Sequence, residues 1–539
     1  AISFSSKPPV YQVAGEDVPA HATKTPVRHG PCSHANKSLA PAGGGGKGLA
    51  ARIKGMRDIA ERALEAAWRR GVSYADVRVV ERRERHVSTK NGRIGQLAAA
   101  ESLGVGIRVL LGGSWGFAAT DDLTGPGLER AAALAVEIAR SSATAKKEAV
   151  VLAPEEAYRS VWESPCRIDP FSVPVEENLD LLLKLDAELR RTPGVTLAEA
   201  SMVFTRQRQV FVSSLGSLIE QTRTTSGAGF VAYSFRGDEI QKRSYPNSVG
   251  GQHQLKGYEL IGELKLLENA PRIAEEAVAL HSASQCPEGT CDLILDSSQL
   301  ALQIHESIGH PIELDRVLGS EANYAGTSFL TLDRLNVLEY GSPIVNVVAD
   351  ARLEHGPGLG TFAFDDEGVP GQRIDIIREG LFTGYLTSRE TAAQAGFARS
   401  GGAMRADGWA RLPLIRMTNV SLLAGEQTLE HVFDVDHAIY METNRSWSID
   451  DKRYHFQFGC EAAWEVRRGR RVRLLKNPSY SGISTEFWNA CDAIAGGDHW
   501  VLWGTPNCGK GQPEQVMGTG HGASPARFRQ VKVGSAYAR

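Results

Sequence analysis

His305, Glu306 and His310 lie within six residues of one another and supply what a metal-assisted hydrolase needs: two imidazoles to hold an ion and a carboxylate to move a proton. In the familiar zinc-peptidase helix the two histidines sit at i and i+4, about 40° apart around the axis, and share one ion. Here the spacing is i and i+5, about 140° apart in an ideal α-helix, too far for both rings to reach one Zn²⁺ at roughly 2.0–2.1 Å. One π-type turn, hydrogen-bonded i to i+5, realigns them, and Gly309 is the natural place for that relaxation. The competing reading is a solvated helix face that carries two unrelated histidines.

A catalytic zinc usually takes three protein ligands and leaves one position open, so a third ligand is needed. Cys508, in the sequence WGTPNCGKGQ, is the best candidate, because a turn of Pro, Asn and Gly can bring sulfur to an ion and Lys510 nearby favours the thiolate. Cys460 lies in an expected strand and reads as a small packed residue, while Cys491, His499 and His521 form a second tier. Glu313 and Asp315, just past the second histidine, are either partners that orient an imidazole or plain helix-end carboxylates. Arg405, Arg411 and Arg416 are candidates for binding a peptide carboxylate or backbone carbonyls, and Asp365, Asp366 and Glu367 cluster in a turn nearby. Both clusters also read as ordinary polar loops.

The elements that must position these groups are legible around them. The apolar run 292–295, bounded by Gly289 and by Asp296-Ser297-Ser298, reads as a buried strand that hands over to a helix N-cap. Leu300, Ile304 and Ile308 then repeat every four residues and give the helix an apolar stripe that excludes His305, Glu306 and His310.

The 539 residues, 42% of them hydrophobic, suffice for about three domains. A formal charge of −3 gives no global basic surface for nucleic acid, and no apolar run approaches the roughly 20 residues of a membrane helix. The seven cysteines are scattered and odd in number, which fits a reducing compartment, and no signal-peptide pattern is visible; cytoplasm is the expected location. Residues 1–50, rich in Pro, Ser, Ala and Gly, read as a disordered leader. An N-terminal α+β domain is expected over 51–145, with a helix built on Met56, Ala60, Ala63 and Ala67 and hairpins at Asn91-Gly92 and Gly112-Gly113. A middle α+β domain with an antiparallel sheet follows over 150–283, and a mostly β catalytic domain built around the His-Glu-x-x-x-His helix over 284–539. The fold class is α+β.

HESIGHPIEL, YAGTSF, FAFDDEGVPG, LPLIRMTN and NCGKG occur in that order, and the set resembles the TldD/PmbA family of metallopeptidases from about residue 55 to the end. The resemblance implies His305, His310 and Cys508 as ligands of one Zn²⁺ and Glu306 as the catalytic carboxylate. It also implies a cytoplasmic dimer, either of two copies or with a paralogous PmbA/TldE-like chain, that encloses a cavity for unfolded or short peptides. The chain departs from the family pattern in the shortened GKGQP segment and at 443–451, TNRSWSIDD, where a glycine-rich stretch is expected. The main expectation is a zinc-dependent peptidase. The alternative is a non-catalytic peptide-binding or maturation subunit of such a heterodimer, against which the intact ligand set argues.

Overall fold

In the computed structural model residues 47–511 and 514–535 are described, so the expected leader lies outside the described residues up to 46. Helix α1 (Lys47–Trp68) buries Met56, Ala60, Ala63 and Ala67 on one face, as the spacing of three and four requires. Strands β1 (Tyr74–Lys90) and β2 (Arg93–Leu111) follow, joined through Asn91 and Gly92. Both turn residues have positive φ, 48° and 74°, the geometry whose twist matches a two-residue hairpin. Strand β3 (Ser114–Thr120) and helix α2 (Gly125–Ala143), capped by the Thr124 side chain on the Gly127 N–H, complete the first segment.

The second segment contributes β4 (Arg159–Glu163), α3 (Val175–Arg190), β5 (Leu197–Ser213), β6 (Leu218–Arg236), β7 (Glu239–Tyr245), β8 (Gln252–Gln254), α4 (Glu259–Glu263) and α5 (Leu266–Ala279). The two segments form one eight-stranded sheet of order β3-β2-β1-β5-β6-β4, with β7 and β8 also on β6. Antiparallel pairing of β1 with β5, from Asp76 opposite Ser213 to Lys90 opposite Glu199, joins them. Two apolar clusters, one under α1 and α2 and one under α3 and α5, cover different parts of this sheet.

Beyond residue 284 the chain is strand-rich and forms two large sheets and one two-stranded ribbon, Met404–Arg405 with Leu414–Ile415. The strands Gly289–Leu295, His437–Ile449, His455–Arg467, Pro478–Ile483 and Ala526–Ser535 pair each with the next in a closed circuit, which removes their free edges. A six-stranded sheet runs Leu381–Phe382, Arg373–Arg378, Val347–Asp350, Asn419–Leu422, Gln515–Ala523, Val501–Lys510, the last being an edge strand. Helix Ser297–Ile304 packs against strands of both. Leu300, Ile304 and Ile308, all 0% exposed, join the largest apolar cluster of the molecule. The helix is buried on its polar side too, since His305, Glu306 and His310 are each no more than 5% exposed, which removes the solvated-face reading.

Candidate metal centre

The strand Gly289–Leu295 is paired on both sides and ends at Asp296, whose carboxylate accepts from the Ser298 N–H and starts the helix. After Ile304 the α-helix gives way to one π turn, His305–Gly309, in which the His310 N–H donates to the His305 carbonyl at 3.1 Å. This i-to-i+5 bond is the one the histidine spacing demands. It brings the two ring centroids to 4.8 Å, with the rings nearly perpendicular. Gly309 serves packing rather than relaxation: its φ is not positive, and a Cβ there would meet the Met417 sulfur at 2.2 Å.

Cys508 arrives on the edge strand Val501–Lys510, where the register against Gln515–Ala523 shifts between Thr505 and Cys508. This bulge is the Pro-Asn turn, and it re-aims the cysteine toward the helix. Its Sγ stands 3.7 Å from His310 Nε2, and the ligand atoms of His305, His310 and Cys508 all lie within 4.8 Å of one another. Three tetrahedral zinc ligands of this kind stand roughly 3.3–3.6 Å apart, so small shifts close the set on an ion.

Hydrogen bonds select which ring nitrogen each histidine offers. Nδ1 of His310 faces Glu313 Oε2 at 3.0 Å, an oxygen that only accepts, so the ring donates there and Nε2 keeps its lone pair. The second ring is set by a relay. His521 Nδ1 donates to the Val420 carbonyl at 3.0 Å, which leaves His521 Nε2 to accept from His305 Nδ1 at 2.7 Å and frees His305 Nε2. Burial and the neighbouring His305 hold His521 well below the ordinary histidine range, so this neutral form persists.

Burial opposes ionisation of Cys508, yet the His305 ring, itself raised by this pairing, the Arg416 guanidinium and the His310 ring outweigh it and hold the thiol well below its usual range, so the pair shares a proton that a bound ion would displace. Lys510, expected to favour the thiolate, instead bonds Asp315 Oδ1 at 2.8 Å and the Ile415 carbonyl at 2.6 Å. Asp315 therefore reaches Lys510 and no imidazole; of the two carboxylates, only Glu313 orients a ring.

The expected arginines are placed differently from one another. Arg416 is fully buried and its two terminal nitrogens hold the carbonyls of Cys508 and Gln515, which fixes the bulged strand. Arg405, 3% exposed, ties the carbonyls of Met417, Gly518 and Leu359 and borders a separate cavity of about 480 Å³. Arg411 is exposed and lines neither cavity. Cys460 and Cys491 are core residues, and His499 lies on the surface.

The three candidate ligands open onto a cavity of about 230 Å³ that Glu306 and Arg453 also line, with the half-exposed Trp447 at its rim. Arg453 Nη1 donates to Glu306 Oε2 at 2.5 Å. No sequence pattern singled out Arg453, because its partner lies 147 residues away. His521 stood among the second-tier ligands and proves to be the residue behind one.

Residues 75–139, 168–284 and 288–535 match the first, central and C-terminal domains of the PmbA/TldA metallopeptidases. The chain belongs to the PmbA/TldD family. Among PmbA/TldD relatives, a metalloprotease of Methanothermobacter thermautotrophicus is 28% identical, the alignment covering 86% of this chain and 96% of that one. A metalloprotease TldD homolog of Buchnera aphidicola is 26% identical, with 87% and 94% covered. A zinc metalloprotease TldD homolog of Saccharolobus solfataricus is 27% identical over 46% of this chain and 52% of its own. Two solved structures share the PmbA/TldD fold. A Thermotoga maritima protein described as a modulator of a DNA gyrase superposes with a TM-score of 0.70 at 19% identity, covering 88% of this chain and 99% of its own. TldE of Thermococcus kodakarensis gives 0.62 at 14% identity, with 89% and 100% covered.

Proposed function

We propose that this PmbA/TldD chain is a zinc-dependent peptidase acting on unfolded or short peptides, with His305, His310 and Cys508 as metal ligands and Glu306 as general base and acid. The observation that carries the reading is the ligand set itself. Two imidazoles with their Nε2 lone pairs freed and one thiol held toward thiolate converge from elements about 200 residues apart, beside a carboxylate, on one cavity. Two nitrogens and a sulfur suit Zn²⁺ better than the hard cations, which take oxygen.

Zinc bound there would bring the pKa of a coordinated water toward 7 and polarise the scissile carbonyl. The rest falls to the chain. Arg453 occupies Oε2 of Glu306, which leaves Oε1 to take the proton of the attacking water and deliver it to the departing amine. Glu313 and His521 hold the two rings in the orientation that keeps Nε2 available. Burial strengthens each of these contacts, because the local dielectric is low.

A dimer, with a second copy or a TldE-like paralogue, fits an exposed edge in the N-terminal sheet. β3 pairs only with residues 105–111 of β2, so the outer edge of 93–104 has no strand partner among the described residues, and Ile94 and Leu97 there are each 54% exposed. A cytoplasmic location fits the described cysteines, which are all free. No described helix is long and apolar enough to cross a membrane. The intact ligand set disfavours the passive-subunit alternative, and nothing in the site's chemistry calls for nucleic acid.

The test is metal analysis of the purified chain paired with hydrolysis of an unstructured peptide before and after chelation. About one zinc per chain and activity that chelator abolishes and zinc restores are expected. Zinc-loaded protein that cleaves no peptide, alone or with its paralogue, overturns the reading.

A further inference from the structure

We propose that Arg453 is a catalytic residue whose guanidinium receives the negative charge that develops on the carbonyl oxygen of the scissile peptide bond. The inference rests on the peptidase reading and assigns one more group in the same cavity. Among the described residues lining that cavity, Arg453 is the one Lys or Arg side chain. Nη1 is engaged by Glu306, but Nε is buried and has no hydrogen-bond partner. An unmet buried donor costs about 1–3 kcal/mol, more when charged, so its place is next to an acceptor that arrives with the substrate.

The guanidinium is held from behind. Arg453 sits at φ 66°, a left-handed conformation that costs a non-glycine residue roughly 1–3 kcal/mol and persists only when the surroundings impose it. They do so here. The carbonyls of four successive residues, 451–454, accept in turn from the Thr327 N–H, the Phe329 N–H, the Ser484 hydroxyl and the Ser484 N–H, at 2.8–3.0 Å. Asp450 accepts from the Tyr454 N–H at 2.7 Å and closes the turn. A donor fixed this way needs no reorganisation when charge appears in front of it, which is the condition for transition-state stabilisation.

In the step itself, the water oxygen bonds to the carbonyl carbon, the C=O π pair moves onto oxygen opposite Arg453, and the water proton passes to Glu306. On collapse that pair re-forms C=O, the C–N bond breaks with its electrons going to nitrogen, and Glu306 returns the proton to the amine. Arg453 keeps its own proton throughout. The other acceptor a guanidinium would suit is the C-terminal carboxylate of a bound peptide, a ground-state contact that the experiment separates from the first.

Arg453→Met and Arg453→Lys are made in the full chain, neither adding backbone strain that Arg453 does not already bear. Zinc content, kcat and KM are measured on peptides with free and amidated C-termini, together with calorimetric binding of an uncleavable phosphinic pseudopeptide that carries an anionic tetrahedral centre. Zinc content is expected to hold. In Arg453→Met, kcat should fall about 10²–10³-fold with KM little changed, and pseudopeptide affinity should fall by a comparable factor. Arg453→Lys should recover part of both. Unchanged kcat and pseudopeptide affinity, or loss of zinc, overturns the proposal. So does a higher KM confined to free-carboxylate peptides, which would make Arg453 a carboxylate anchor. Failure of the unsubstituted zinc-loaded chain to cleave any peptide instead overturns the peptidase reading itself.

Discussion

Two buried polar clusters in the C-terminal half are built from similar residue types and end in opposite states. At the junction with the N-terminal sheet, the turn 365–367 is closed upon itself. Asp365 accepts the N–H groups of Glu367, Val369 and Met404, and Asp366 accepts Gln209, the Ala406 N–H and Arg78. Glu367 accepts Arg108 and the Arg389 N–H. Each carboxylate has its donors, so the cluster reads as structure: it ties residues 365–367 to β1, β2 and β5. At the candidate metal centre each imidazole has Nδ1 engaged by a neighbour, the Cys508 sulfur stands 3.7 Å from His310 Nε2, and Arg453 keeps an unmatched N–H. Buried groups left incomplete together beside a three-residue set of this spacing, in one cavity, are what the proposed site rests on.

The sharpest way to break this contrast is to change the group proposed to move the proton. Glu306→Gln keeps the shape of the side chain and an oxygen for Arg453, and should keep zinc while lowering kcat by three or more orders of magnitude, about 4 kcal/mol of barrier. Elemental analysis with steady-state kinetics checks it, and parental activity in that variant would remove Glu306 from the mechanism. The opposite pattern is expected at the junction. Arg108 bonds Asp76 at 2.6 Å and Glu367 at 3.0 Å and is 3% exposed. Arg108→Met leaves two buried carboxylates uncompensated and should cost about 3–5 kcal/mol of stability, read from the denaturant midpoint. Zinc content and kcat should stay near parental where the protein remains folded. A large loss of zinc at full stability would show that the two clusters are not separate.

How legible each cluster was in the sequence follows from the range of its contacts. His305, Glu306 and His310 are neighbours in sequence, and the i, i+5 spacing implied a π turn on geometry alone; the helix has its single π turn there. The apolar stripe of Leu300, Ile304 and Ile308 placed the helix in the core for the same reason. Contacts made across long separations left no such trace. The sequence offers Arg416 as a group for a peptide carboxylate or backbone carbonyls of substrate, whereas it is buried behind Cys508 and holds that residue's own carbonyl. Asp315 shares a helical turn with Glu313 but points to Lys510, 195 residues on. β1 and β5 pair along most of their length, yet local alternation says only that each is a strand and not which strand it joins.

His521 offers the finest test of the contrast, because both of its own ring nitrogens are engaged while it serves the incomplete cluster. Its Nε2 accepts from His305 and its Nδ1 donates to the Val420 carbonyl, so it converts a fixed backbone acceptor into a fixed tautomer of the proposed ligand His305. His521→Phe keeps an aromatic ring of similar size in the pocket but leaves the His305 Nδ1–H without an acceptor. Zinc affinity, measured by competition with a calibrated chelator, should fall about 10–100-fold, the usual effect of removing such a partner. Glu313→Gln, which retains an oxygen able to accept from His310 Nδ1, should fall less. Parental zinc affinity in His521→Phe would mean that His521 packs against His305 without setting its tautomer. The ordering of the two variants matters more than either size, since it separates a lost acceptor from a lost charge.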